Sequence, residues 1–399
     1  MQAIKQKIDL PFALVGILIL WALSLFLVND VGLKYGLLLL VGGGMGFALM
    51  QAMFGFTGAW RQMSRERLSR GMRGQLLLLA LTSILFFPLF GGLFPDLKIH
   101  AALAPVGVSV IIGAFLFGIG MQLGGGCGSG TLFTVGWGHV KMLITLAFFI
   151  IGAFVGSLHL PWWLALPNVG KISVLQPMGW QVALAVQLVV LAILYRWFVS
   201  LEQKRQGSVQ GLSLKVDTND TGLLQRFVVG QWPLLWAVVA LAVLNLLTVL
   251  IAGHPWSITF AFGLWGAKLW NALGGDVSQW LYWSQGYPAR ALTQSVLMDT
   301  VSVMDFGIIL GALLAASLAG RFAPPDKIKR PEVVAAIIGG LLMGYGARLA
   351  FGCNIGGLLA GISSGSLHGW LWFVAGFIGS AVGVKIRIGS GLDKPVGVK

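Results

Sequence analysis

Apolar segments of membrane-spanning length recur almost end to end along this chain, and that recurrence limits what it can fold into. They fall near residues 11–29, 35–54, 75–94, 104–123, 141–159, 179–199, 230–252, 256–273, 297–320, 332–350 and 367–386. A bilayer core about 30 Å thick is crossed by ~20 apolar residues in an α-helix, whose backbone groups pair internally where no water can serve them. With 57% hydrophobic and only 10% charged residues among 399, the chain has too few charges to clothe a water-facing surface. The fold class expected is all-α: a polytopic membrane protein. The first apolar run is too long for a signal peptide and no A-x-A-type cleavage site follows promptly, so it reads as a retained span.

Charge sets the orientation. The net charge of +14 arises largely in Arg61–Arg73, in the 201–226 stretch, in 321–332, and in the tail from Lys385, with Lys5 and Lys7 at the start. Short basic loops flanking spans are read as cytoplasmic, which accounts for the charge without nucleic acid. Two segments separate the N-terminus from the arginine run, four separate that run from 201–226, and two separate 332 from the tail. Three lie between 201–226 and 321–332, an odd number, so one of them does not cross. Segment 256–273, with Lys268 and three tryptophans (Trp256, Trp265, Trp270), is expected to re-enter or to lie at the interface. The polar stretch 201–229 is the linker between a first membrane repeat (1–200) and a second (230–399).

Comparing the two sides of that linker exposes the repeat. GAFLFGIGMQLGGGCGSG (113–130) matches GGLLMGYGARLAFGCNIG (339–356) at a constant offset of 339 − 113 = 226. Gly113, Gly118, Gly120, Leu123, Gly126, Cys127 and Gly130 fall on Gly339, Gly344, Gly346, Leu349, Gly352, Cys353 and Gly356. Both copies continue to a histidine, His139 and His368, and then to an apolar span. Duplicated halves place equivalent loops about a pseudo-two-fold axis, often at the membrane midplane where broken helices bind transported solutes.

Those loops contain the only two cysteines, too few for a disulfide framework or a Cys₄ metal site; no cofactor is called for. A disulfide between the two remains open at this stage. In each copy a span ends in glycine, the cysteine follows, and a shorter helix-compatible stretch begins. Gly126, Gly128 and Gly352 let the backbone approach a ligand closely, and a new helix start, at Gly128 or Asn354, offers free N–H groups to an anion. A thiolate would repel that anion, so a conduit requires neutral thiols. A neutral thiol is a soft, weak donor. It suits an anion with a hard oxygen end and a soft sulfur end, as thiosulfate has and sulfate lacks.

GGGCGSG, then ARLAFGCNIGGLLAG followed by SLHGW, and FGFTGAWR (54–61) resemble the signature stretches of the YeeE/YedE family of inner-membrane sulfur-transport proteins. The resemblance runs through both halves. It implies an hourglass-shaped protein of the bacterial inner membrane that takes up thiosulfate, or a related sulfur or selenium anion, past a constriction lined by cysteines. Cys127 and Cys353 match two of those positions. The third family cysteine falls at Gly55, a departure from the pattern. The family also suggests a rhodanese-like or sulfur-carrier partner protein.

Other residues fill out the expectation. Thr57 is placed on the pathway by its hydroxyl. Arg348, five residues before Cys353, is a cation in an apolar span, set to attract the anion or to pair with a carboxylate. Asp305 is a helix cap, a partner for Arg348, or the proton carrier if transport is coupled. His139 and His368 are satisfied interfacial histidines or coupling groups, and Lys268 with Arg290 an electropositive outer entrance. Twelve scattered methionines make no copper path. No Walker A loop, G-x-S-x-G or H-E-x-x-H motif appears, so neither ATP hydrolysis nor these hydrolytic chemistries are expected. The reading is a transporter, not an enzyme. Two alternatives stand beside it: a membrane-embedded sulfurtransferase forming a cysteine persulfide, and a scaffold that docks a soluble sulfur-handling protein on Arg61–Arg73.

Overall fold

A computed structural model describes residues 8–212, 227–322 and 328–393. The first half of the chain forms α1 (Leu10–Asp30), α2 (Leu33–Ala52), α3 (Phe56–Glu66), α4 (Arg70–Phe90), α5 (Val108–Gly124), α6 (Gly128–Gly136), α7 (Val140–Leu164) and α8 (Leu175–Gln206). The second forms α9 (Leu234–Ala252), α10 (Thr259–Ala272), α11 (Gly286–Thr293), α12 (Thr300–Leu318), α13 (Arg330–Leu349), a π-helical turn Asn354–Leu359 leading into α14 (Ala360–Ser363), and α15 (Leu367–Gly389). The sheet among the described residues is one antiparallel pair, β1 (Pro105–Gly107) with β2 (Asn168–Lys171).

Ten helical stretches are long and apolar enough to cross a membrane, and three of them (33–66, 108–136 and 330–363) contain a break. The molecule is a multi-pass, all-α membrane protein. The eleventh expected segment is the exception: α10 has 14 residues, roughly 21 Å of helix, too short to cross alone. Its flanks explain why. Lys34 Nζ donates to Ala252 O (3.3 Å) at one end, and Lys268 Nζ to Leu292 O (2.7 Å) at the other. His254, just past α9, hydrogen-bonds Thr300 at the start of α12 (3.0 Å). The chain dips inward from Gly253, turns near Ile258 and returns through α10 to the side it left.

The basic run Arg61–Arg73 is less of a loop than the sequence reading supposes. α3 continues to Glu66 and α4 resumes at Arg70, because arginine, glutamine, methionine and glutamate are good helix formers. Arg73 is buried against Glu202 (3.6 Å), whose carboxylate also accepts from the Ser69 N–H (3.1 Å). Part of the surface offered to a docked partner is thereby internal.

Glycine sets how closely the helices approach. Gly42 and Gly46 of α2 lie on the backbone of Met304 and Ile308 in α12, while Gly307 and Gly311 lie on that of Leu39 and Gly43. The same device joins α5 to α15 (Gly118 on Gly376) and α7 to α13 (Gly152 on Leu341, Gly344 on Phe149). With no hydrophobic drive between helices in lipid, such backbone contacts supply the packing. Each seam ties one half of the chain to the other, and one core runs from Leu27 to Ala375. Large apolar side chains such as Leu18, Trp21, Ile193 and Trp197 are left exposed on α1 and α8, as a lipid-facing belt requires. Adding 226 to the first residues of α1, α5 and α7 gives 236, 334 and 366, near the starts of α9, α13 and α15 at 234, 330 and 367.

Candidate functional site

Two helical hairpins enter from opposite faces. On the basic face α5 ends at Gly124, and Gly125 takes a left-handed φ of +91° while its N–H bonds Met121 O (3.1 Å). Cys127 then caps α6: its Sγ accepts from the Gly130 N–H (3.4 Å), and its carbonyl accepts from the Thr131 hydroxyl (2.8 Å). α6 returns to the basic face, where the Trp137 indole donates to Arg321 O. On the opposite face α13 ends at Leu349, and Gly352 (φ +149°) turns the chain; a side chain there would strike the backbone of Gly356 and Gly357. Cys353 caps the π turn, Sγ accepting from the Ile355 N–H (3.4 Å). The hairpin closes at Ser364, whose hydroxyl accepts from the Ala102 N–H (3.0 Å).

Their tips touch. A Cβ built on Gly128 lies 2.8 Å from Cys353 Sγ and 3.5 Å from Ile258 Cγ2, the turning point of the dip before α10. Both cysteines are free thiols with no solvent exposure, so the disulfide left open by the sequence is not formed.

A cavity lies on each side of this contact. The one on the basic face, about 640 Å³, is lined by Gly55, Thr57, Gly126, Cys127, Gly130 and Trp137, among others. The opposite one, about 360 Å³, is lined by Lys34, Tyr35, His254, Ser257, Tyr287 and Thr300, among others. Ser257 also reaches inward, its Oγ 3.2 Å from a Cβ position on Gly356 of the Cys353 loop. Across the molecule the order is therefore cavity, Cys127, the Gly128–Cys353–Ile258 contact, Ser257, cavity. Tyr287 donates to Asp299 (2.7 Å), and burial, then the Asp299 charge, pushes its phenol up, so it remains a neutral donor on the cavity wall.

The residues singled out from sequence separate into those at this contact and those elsewhere. Thr57 is buried in the wall of the larger cavity with its hydroxyl unpartnered. Asn354, next to Cys353, is fully buried with neither amide atom hydrogen-bonded. A Cβ on Gly55 meets nothing within 4 Å. Asp305 is fully buried with both carboxylate oxygens unpartnered. The residues four and seven further along α12, Ile309 and Ala312, pack against Gly136, so by helical period Asp305 stands on the face turned to α6.

Arg348 does not pair with Asp305. Its guanidinium donates to the Tyr282 hydroxyl (2.5 Å) and Thr259 O (3.3 Å) and lies over the Tyr282 and Phe260 rings; among the described residues no carboxylate is within 4.0 Å of it. Lys268 does not form the entrance, because its ammonium caps the α11 carbonyls of Leu292 and Gln294 (2.7 and 2.5 Å). The cation at the outer cavity is Lys34, which the sequence reading passed over. His368 is buried on Ser366 (2.7 Å) and His139 packs on Trp137; neither is a hydrogen-bond partner of a cysteine among the described residues. Ser257 and Ile258 were missed as well, since nothing in their types marks an apolar dip as a tip.

The chain has relatives among known sulfur transporters. The family model described as sulphur transport matches residues 51–382. The thiosulfate transporter TsuA of Spirochaeta thermophila is 30% identical over 272 residues, 66% of this chain and 73% of that one. The thiosulfate transporter TsuA of Escherichia coli is 25% identical over 354 residues, covering 86% and 91%. The probable transporter YedE of Escherichia coli is 32% identical over 157 residues, a match spanning 38% of its length and 39% of this chain.

Proposed function

The chain belongs to the sulphur transport family, and from that premise we propose that it carries a small sulfur-containing anion, thiosulfate first among them, inward across a bacterial inner membrane. The basic face is cytoplasmic. The anion enters the cavity walled by Lys34 and Tyr287, passes Ser257, meets Cys353 and then Cys127, and leaves through the larger cavity past Thr57. Each cysteine sits at a helix start, so backbone N–H groups take the oxygen end while the neutral thiol meets the polarisable sulfur end. The reading includes two halves of inverted topology, an arrangement that brings equivalent loops to one depth. Asp305, turned toward α6, is the residue through which a proton couples to passage.

One observation carries this reading: the Cys353 sulfur lies against Gly128, the residue after Cys127. It supports a crossing point to which hairpins from opposite faces each contribute a thiol. Relatives named as thiosulfate transporters support the substrate class. The test is labelled-thiosulfate uptake in cells lacking their own importers. Cys127→Ala and Cys353→Ala are each expected to lose most uptake at equal expression; unchanged uptake in both ends the proposal. Intact mass after thiosulfate exposure should show no one-sulfur adduct, which a sulfurtransferase would retain.

A further inference from the structure

A smaller cavity on the basic face, about 240 Å³, is lined by Arg61, His139, Lys141 and Arg387 together with Gly125 and Thr134, among others. Its arginines are held in place. Arg61 Nε donates to Gln122 Oε1 (3.0 Å) and Arg387 Nη1 to the Gln122 carbonyl (2.8 Å). Gln122 is itself fixed, donating to Thr57 O (3.2 Å) and Ser380 Oγ (2.8 Å). Lys141 Nζ stands 3.8 Å from a Cβ position on Gly125, two residues before Cys127. Of the nearby carboxylates, Asp393 is engaged by Arg387 (2.8 Å) and Arg65 (3.3 Å). Among the described residues none lies within 4.0 Å of Arg61 or Lys141. Glu332 also acts on Lys141 through its charge but accepts from the Lys329 N–H (3.0 Å) at the start of α13. Three cations thus converge on a space whose two neighbouring carboxylates are both engaged elsewhere.

We propose that this cavity binds a free tetrahedral oxyanion on the cytoplasmic side, beside the exit of the transport pathway; this rests on the inward, thiosulfate-carrying reading above. Guanidinium and ammonium groups recognise oxygen geometry and charge, and no thiol lines the space. Sulfate and thiosulfate are therefore accepted alike here, and discrimination is left to the cysteines. Gly125 and Thr134 line both this cavity and the larger one, so the site opens to the pathway and serves a free anion rather than a lipid phosphate.

The test is titration calorimetry of the full chain in phosphatidylcholine nanodiscs with sodium sulfate. The Cys127→Ala/Cys353→Ala protein is expected to bind sulfate as the parent does, Lys141→Arg to stay close to it, and Lys141→Gln to bind about tenfold more weakly, the loss of one charged contact. A thermal melt checks that each variant is folded. Parent-like binding by folded Lys141→Gln, no binding by the double-cysteine variant, or loss of binding when phosphatidylglycerol is added would each overturn the site. Because sulfate binding is read without transport, its failure is distinguishable from failure of the cysteine-dependent uptake.

Discussion

The sulfur of Cys353 occupies the space that a side chain on Gly128 would need: a Cβ there lies 2.8 Å from Sγ and 3.3 Å from the Cys353 Cβ. Two helix starts, 226 residues apart in the chain, are thereby pressed together between the segments that line the two cavities.

Gly128→Ala is consequently expected to cut thiosulfate uptake by about tenfold or more and to lower thermal stability by about 1–3 kcal/mol, the usual range for overpacking. Adding Cys353→Ala removes the closest atom. Melting temperature in the double variant should recover part of that loss, a positive coupling readable in a double-mutant cycle. Strictly additive destabilisation would show that the two loops are not in contact.

Gly55 makes the opposite case. Its φ of −146° suits any residue, and a Cβ there meets nothing within 4 Å in the cavity that Cys127 lines. Gly55→Cys should change stability by less than about 0.5 kcal/mol. The new thiol should react with a small thiosulfonate reagent far faster than the fully buried Cys127 and Cys353. Uptake should be retained or raised, measured beside the parent.

Asp305→Asn preserves shape while removing the ionisable proton. With neither oxygen hydrogen-bonded, the carboxyl contributes no internal bond to lose, so the variant should melt no lower than the parent. Uptake in cells should become insensitive to a protonophore; a protonophore effect equal to the parent's would exclude Asp305 from coupling.

Past the end of α15, Asp393 accepts from Arg387 Nε (2.9 Å) and Nη2 (2.8 Å), and these bonds, with the neighbouring Arg387, Arg61 and Arg65 charges, hold its carboxyl below the ordinary 3.8. A depressed folded value means the stabilisation is fully present above pH 3.8 and is lost as pH falls through the lower folded value. Asp393→Asn should therefore lower the melting temperature at pH 7 and narrow its gap to the parent below pH 3.8. A gap that widens on acidification would contradict the sign.

Much of this architecture was legible from residue order because membranes make hydropathy decisive. The spans follow from apolar length, and the re-entrance before α10 follows from loop parity plus Lys268 and its tryptophans. The cysteine loops stood out because glycine and cysteine coincide at one offset in both halves. What stayed hidden is assembled from distant positions. Arg61, Lys141 and Arg387 share a cavity only after three helices pack, and Gln122, which holds both arginines, looks in sequence like an isolated polar residue in an apolar run. Ile258 carries no chemical mark of being a tip. Lys268 and Arg348 were assigned by charge, yet backbone carbonyls and a tyrosine claim them, because buried cations satisfy the nearest acceptor.

The glycine seams between α2 and α12 have a mechanical consequence. Where Gly43 and Gly311 meet, backbone rests on backbone, leaving no layer of pliable side chains along which the halves might tilt or slide. The proposed passage is then expected to use small excursions of the short hairpins, a turnstile in a rigid frame rather than a rocking clamshell.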